Sequence, residues 1–118
     1  EGLSDLLGAV ANKATAGYLL ACDGRRVLVD SPHKALNYLL QCSAGIVAKR
    51  WMVIANDDCE ANQLAFVHDE LQYETNPENA EKLMKHLEKS AILAGEYYKL
   101  RCPIAAEAKK GKTWADVH

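Results

Sequence analysis

The 118-residue sequence has no CxxC pair, no surplus of basic residues, no apolar run of membrane length, and no internal repeat or low-complexity tract. Each absence excludes something. The four cysteines, Cys22, Cys42, Cys59 and Cys102, form no pair with zinc-ligand spacing and suggest no disulfide framework, so reduced thiols in a cytosolic setting are the plain reading. A formal net charge of −2 argues against an autonomous nucleic-acid binder, which would carry a basic footprint. No apolar stretch approaches the roughly 18 residues that span a bilayer, and no secretory signal opens the chain, so a cytoplasmic location without membrane contact is expected. The first residue is Glu1, and "EGLSDLL" reads like the middle of a longer protein.

What is present is ordinary for a globular chain: 49% hydrophobic and 25% charged residues, enough for one domain over 1–118 with a single core. Leu3, Leu6, Leu7 and Val10 recur at helical spacing, predicting a helix over 3–16 that stops at Gly17. "YLLACDGRRVLV" predicts two short strands joined at Asp23-Gly24, a strong hairpin-turn dipeptide. Ser31-Pro32 marks the start of the longest helix, roughly 32–55, with Ser31 as N-cap. A hairpin follows over 64–74. Thr75 or Asn76 then caps another helix, with Pro77 just inside it and Ala80, Leu83, Met84, Leu87, Ala91 and Ala94 as its buried stripe. Alternation of Leu100, Cys102, Ile104 and Ala106 predicts a last strand near 100–106. The order α-ββ-α-ββ-α-β predicts an α+β fold, with helices packed on one face of a mainly antiparallel sheet.

Two features carry chemistry. On the long helix, His33, Asn37 and Gln41 form one slowly drifting stripe, continued by Ala44 and Ala48, while Leu36, Leu39, Leu40 and Val47 should enter the core. Asn and Gln donors followed by small residues suit the acceptor atoms of a duplex minor groove, although such a row is also what a water-facing helix edge shows. The second feature is "AFVHDELQY", an apolar hairpin with His68, Asp69 and Glu70 at its middle. Two adjacent carboxylates resist burial and repel each other, so the triplet is either a solvated turn or a site that awaits positive charge. Oxygen-only ligands on a stiff support suit Mg²⁺, which takes one or two carboxylates and fills its shell with water and phosphate. A three-residue match is weak by itself, but hairpin tips ordinarily favour Gly and Asn over charge.

Taken together and in order, "DGRRV", "SPHKALNYLLQCSAG", "FVHDELQ" and "TWADVH" resemble family A DNA polymerases, relatives of DNA polymerase I, with the phage replicative branch nearest. The resemblance runs over roughly residues 15–118. It implies the C-terminal portion of a polymerase palm, with residues 1–17 a helix leading from absent fingers. By this resemblance Asp69 matches the position that binds the catalytic Mg²⁺ ions, and Glu70 the neighbouring supporting carboxylate. His68 matches a histidine beside the primer-terminal backbone. His33, Asn37 and Gln41 match contacts to the primer-template minor groove, and Arg25 and Arg26 resemble backbone-contacting positions. Trp114 and His118 resemble the family's C-terminus, which folds back towards the active site.

The resemblance is incomplete. A second aspartate on a "DxSxxE"-like strand and a fingers helix bearing Arg, Lys and Tyr are both lacking. The link "VIANDDCEANQ" is shorter than in the phage enzymes, and Asp30 stands where a basic residue is the family's habit. The resemblance therefore implies a DNA-directed DNA polymerase as parent, acting on primer-template DNA and deoxynucleotides with two Mg²⁺ ions. This chain alone would hold Mg²⁺ weakly, polymerise nothing, and self-associate through apolar surface left uncovered. The other readings are a non-catalytic nucleic-acid-binding or assembly module with a palm-like fold, and a small metal-dependent hydrolase built on His68, Asp69 and Glu70.

Overall fold

The computed structural model describes residues 2–118; Glu1, the first residue of the expected 1–17 helix, lies outside the described residues. The chain divides between Ile46 and Val47 into two compact units.

In the first unit, α1 (Gly2–Ala14) carries Asp5 in its first turn and Lys13 in its last, each matched to the helix dipole. Val10 and Ala14 are buried with Leu19 and Ala35, and Val29, Leu36 and Leu39 pack against that cluster. The other end of the stripe is uncovered: Leu3, Leu6 and Leu7 are 65%, 48% and 46% exposed. Gly17 stops the helix as expected, with a φ of 86° and its N–H donating to the Ala14 carbonyl at 2.9 Å.

β1 (Tyr18–Leu20) and β2 (Arg26–Leu28) then pair antiparallel with Leu20 opposite Arg26. Their connection is longer than a two-residue Asp-Gly turn. The Gly24 N–H closes on the Ala21 carbonyl at 2.9 Å, and the Ala21 N–H bonds the Arg25 carbonyl at 3.0 Å. Gly24, with a φ of 84°, still supplies the left-handed step.

α2 (Ala35–Asn56) is entered through a 3-10 turn at Pro32–Lys34, and α3 (Ala80–Tyr97) through one at Pro77–Asn79. Ser31 and Asn76 hold the extended backbone of a cap, but neither side chain makes a capping hydrogen bond. Proline instead defines both starts, because its fixed φ suits the first turn and its missing N–H would have been unpaired there. Leu36, Leu39 and Val47 turn inward along α2 as expected, whereas Leu40 is 60% exposed. Seven residues at 100° each bring Leu40 back to within about 20° of His33, on the polar side.

In the second unit, β3 (Asn62–Val67) and β4 (Glu70–Glu74) form an antiparallel hairpin with Val67 opposite Glu70. A bulge between Gln63 and Ala65 leaves Leu64 unpaired and 62% exposed, and Val67 is 42% exposed, so these are not the core strands their composition suggested. The hairpin's base is tied to the end of α2. The Asn56 amide donates to Gln63 Oε1 at 2.5 Å, and the Tyr73 hydroxyl donates to Asn56 Oδ1 at 2.8 Å. On α3, Ser90, Ala91, Ala94 and Gly95 are buried, small enough to let backbone come close. The Trp51 indole donates to the Leu87 carbonyl at 2.9 Å and the His86 Nε2 lies 2.8 Å from the Ala55 carbonyl, fixing α3 against the second half of α2.

The α+β class holds, but the strands form two separate two-stranded sheets among the described residues. The strand expected near 100–106 is absent: the segment bends at Arg101 and Cys102 and continues without strand pairing. Pro103 has no N–H to offer a ladder. Ile104 instead lies on Gly95 of α3, where a Cβ would come within 2.7 Å of its Cγ1, and the Ala108 N–H donates to Glu88 Oε1 at 3.1 Å. Cys102, expected on the covered face, is exposed, and half-burial alternates only from Ile104 through Ala106 to Ala108, where the chain runs along a helix with no sheet beneath it. A short helix, α4 (Trp114–Val117), follows. No helix of the described residues is long and apolar enough to cross a membrane.

Candidate functional site

The tip of the β3–β4 hairpin is a two-residue bend at His68 and Asp69. His68 takes a φ of 56°, the left-handed region that a tight hairpin turn demands and that glycine ordinarily fills. Both His68 and Asp69 are exposed, and Glu70, the first residue of β4, is half-buried. The triplet is thus a solvated turn on a pinned hairpin, which resolves the cost of two adjacent carboxylates: Asp69 keeps its water. Among the described residues, no side chain pairs with the Asp69 carboxylate.

Glu70 is differently placed. His118 Nε2 lies 2.8 Å from Glu70 Oε1, and the Gln72 side-chain amide donates to the same oxygen. The His118 ring stacks on Trp114 with centroids 4.1 Å apart and planes at 17°. The C-terminus is therefore folded onto the hairpin. The turn that carries it is held by Asp116, whose Oδ2 accepts the N–H groups of Lys112 at 2.9 Å and Thr113 at 2.8 Å. Hydrogen bonds from Thr113 and then from Lys112 hold the Asp116 carboxyl below the usual carboxylate range.

The other candidates lie in the first unit. His33 sits in the 3-10 turn and Asn37 and Gln41 on α2, all exposed along the expected edge, and Ala44 is exposed beyond them. Arg25 is engaged locally: its backbone N–H and Nε both reach the Asp23 carboxylate, at 3.1 and 2.7 Å. Burial disfavours the Asp23 charge, but these bonds outweigh it and lower the Asp23 pKa. Arg26 lies over the Tyr18 ring, 4.7 Å from its centroid. Asp30 accepts the Tyr38 hydroxyl at 3.0 Å, a bond that raises the Tyr38 pKa.

Three participants escaped the sequence reading. Gln72 stands two residues beyond Glu70, the spacing that places both on one strand face. Thr113 and Asp116 form the S/T-x-x-D/E pattern that opens a helix, legible in "TWAD". As to metals, Asp69 and Glu70 offer hard oxygen donors of the kind Mg²⁺ takes, but the described residues contain no group of three or more His, Cys, Asp or Glu that could hold an ion. The donor chemistry fits and the count is partial.

Residues 22–116 match DNA polymerase family A, and the chain belongs to that family. Among its relatives, the DNA-directed DNA polymerase of Escherichia phage Phieco32 is 34% identical over 96% of this chain. The DNA-directed DNA polymerases of Enterobacteria phage T3 and Escherichia phage T7 are each 30% identical over 86% of it. The chain spans 20% of the Phieco32 protein and 16% of each of the other two. The polymerase domain of Pol1 from M. smegmatis, in complex with DNA primer-template and dNTP, superimposes with a TM-score of 0.75 at 26% identity, covering 87% of this chain and 21% of that one.

Proposed function

We propose that this chain supplies the C-terminal part of a polymerase palm: one share of the metal-binding carboxylates and one share of the primer-template contacts of template-directed DNA synthesis. The observation that carries this reading is the hairpin tip, where an exposed Asp69 and a held Glu70 crown a bend tied at its base to α2. In it, Asp69 is the principal ligand because its carboxylate is unencumbered, and Glu70 is the supporting one. Mg²⁺ bound there together with carboxylates from elsewhere would lower the cost of the charge that develops when a primer hydroxyl attacks a deoxynucleotide phosphate. The chain's own contributions are positional. The Asn56 and Tyr73 bonds keep the tip at a fixed height, and His68 stands beside it as a donor for primer phosphate. His33, Asn37 and Gln41 present donors to minor-groove acceptors that all base pairs share, a grip without sequence preference. Arg25 and Arg26 flank the β1–β2 hairpin as backbone contacts.

A chimaera tests this. With the matching segment of the Phieco32 relative replaced by this chain, Mg²⁺-dependent primer extension is expected. Asp69→Asn should depress it by more than about a hundredfold, beyond the loss that outer partners of metal ligands show. The isolated chain should extend nothing. An Asp69→Asn chimaera as active as its parent would remove the metal role, and salt-dependent duplex affinity surviving in an inactive chimaera would favour a binding module.

A further inference from the structure

We infer that the C-terminal turn is a positioning device that fixes which oxygen of Glu70 faces an outside cation; the inference rests on the metal reading of Asp69 and Glu70 given above. His118 Nε2, at 2.8 Å, and the Gln72 amide converge on Oε1 of Glu70, while Oε2 has no partner among the described residues. A carboxylate with two donors on one oxygen can no longer rotate freely or clamp an ion with both oxygens. It offers a single oxygen, and Asp69, one residue away and unpaired, is left as the stronger ligand.

The holder is itself immobilised. Stacking on Trp114 sets the plane of the His118 imidazole, and its Nδ1 lies 3.0 Å from the Trp114 carbonyl. Both ring nitrogens thus lie at hydrogen-bond distance from fixed oxygens, Nδ1 from that carbonyl and Nε2 from Glu70 Oε1. Asp116 closes the start of the turn through Lys112 and Thr113. Gly111 makes that closure possible, because a Cβ there would stand 2.3 Å from Asp116 Cβ. A chain of contacts from Gly111 through Asp116 and Trp114 to His118 thus ends on one carboxylate oxygen. His118 acts through Glu70 and is a positioning residue in this scheme, as outer partners of metal-bound carboxylates are elsewhere.

The test uses the 118-residue chain and four readily made forms: the parent, His118→Ala, His118→Gln and Gly111→Ala, each checked for unchanged helix content. The side-chain carboxylate ¹³C resonances of Asp69 and Glu70 are recorded, and Mn²⁺ affinity is measured by paramagnetic broadening at residues 69 and 70. His118→Ala and Gly111→Ala should shift the Glu70 resonance, leave Asp69 in place, and weaken Mn²⁺ about tenfold. His118→Gln, which keeps a terminal donor, should restore most of both. A Glu70 resonance unmoved in His118→Ala and Gly111→Ala, or Mn²⁺ affinity equal in all four forms, overturns the positioning role alone. Mn²⁺ that broadens neither residue in any form overturns the metal reading itself, and this inference with it.

Discussion

At His68 the backbone adopts a φ of 56° without being glycine, a choice that costs of order 1 kcal/mol wherever it occurs and persists only when neighbouring structure dictates it. Here the dictation comes from the pairing of Val67 with Glu70, which leaves only His68 and Asp69 to reverse the chain. Tyr73 is half-buried, and loss of water, reinforced by Cys59, pushes its pKa up to about 12. Its folded value stands above the unfolded value of about 10, so its contribution to stability is complete below pH 10 and is lost as pH rises towards about 12. Phenolate absorbance should show a tyrosine ionising at about pH 12, with hairpin amide protection falling over the same interval. Tyr73→Phe should abolish that late step, and a late step that survives in Tyr73→Phe would remove the argument.

At the scale of elements, the three long helices and both hairpins were legible in the sequence because each rests on a local rule: helical spacing in α1 and α3, proline at two helix starts, and glycine at two left-handed steps. The segment 100–106 was not. Alternating burial states only that one side is covered, and α3 covers it as well as a sheet would. Gly95 is the residue that permits this. Gly95→Ala should clash with Ile104 and cost about 1–3 kcal/mol in chemical denaturation, with the loosening centred on 100–108. Leu40 was misplaced for a similar reason, since a seven-residue step returns nearly to its starting side and apolar character alone does not say which side is covered.

At the scale of the whole molecule, the first turns of α1 expose Leu3, Leu6 and Leu7 as a continuous apolar edge. A chain that spans a fifth of its Phieco32 relative is expected to bury that edge against something, and in isolation a second copy is the available cover. Sedimentation should therefore show reversible self-association at high concentration. Leu3→Glu combined with Leu7→Glu should shift it to monomer with helix content retained, and a wild-type chain that stays monomeric throughout would refute the point.

The sequence by itself determined the family, the positions of the three long helices and both hairpins, and the identities at the acidic tip, because these follow from local spacing and from motifs whose order is preserved along the chain. Only the tertiary structure decided that Asp69 stays solvated while Glu70 is taken by His118 and Gln72, and that the segment after α3 lies back on that helix. Those outcomes depend on which distant residues meet, 48 positions apart in the case of Glu70 and His118 (118 − 70). No local preference encodes a meeting across that distance; it is set by how the hairpin, α3 and the C-terminal turn pack.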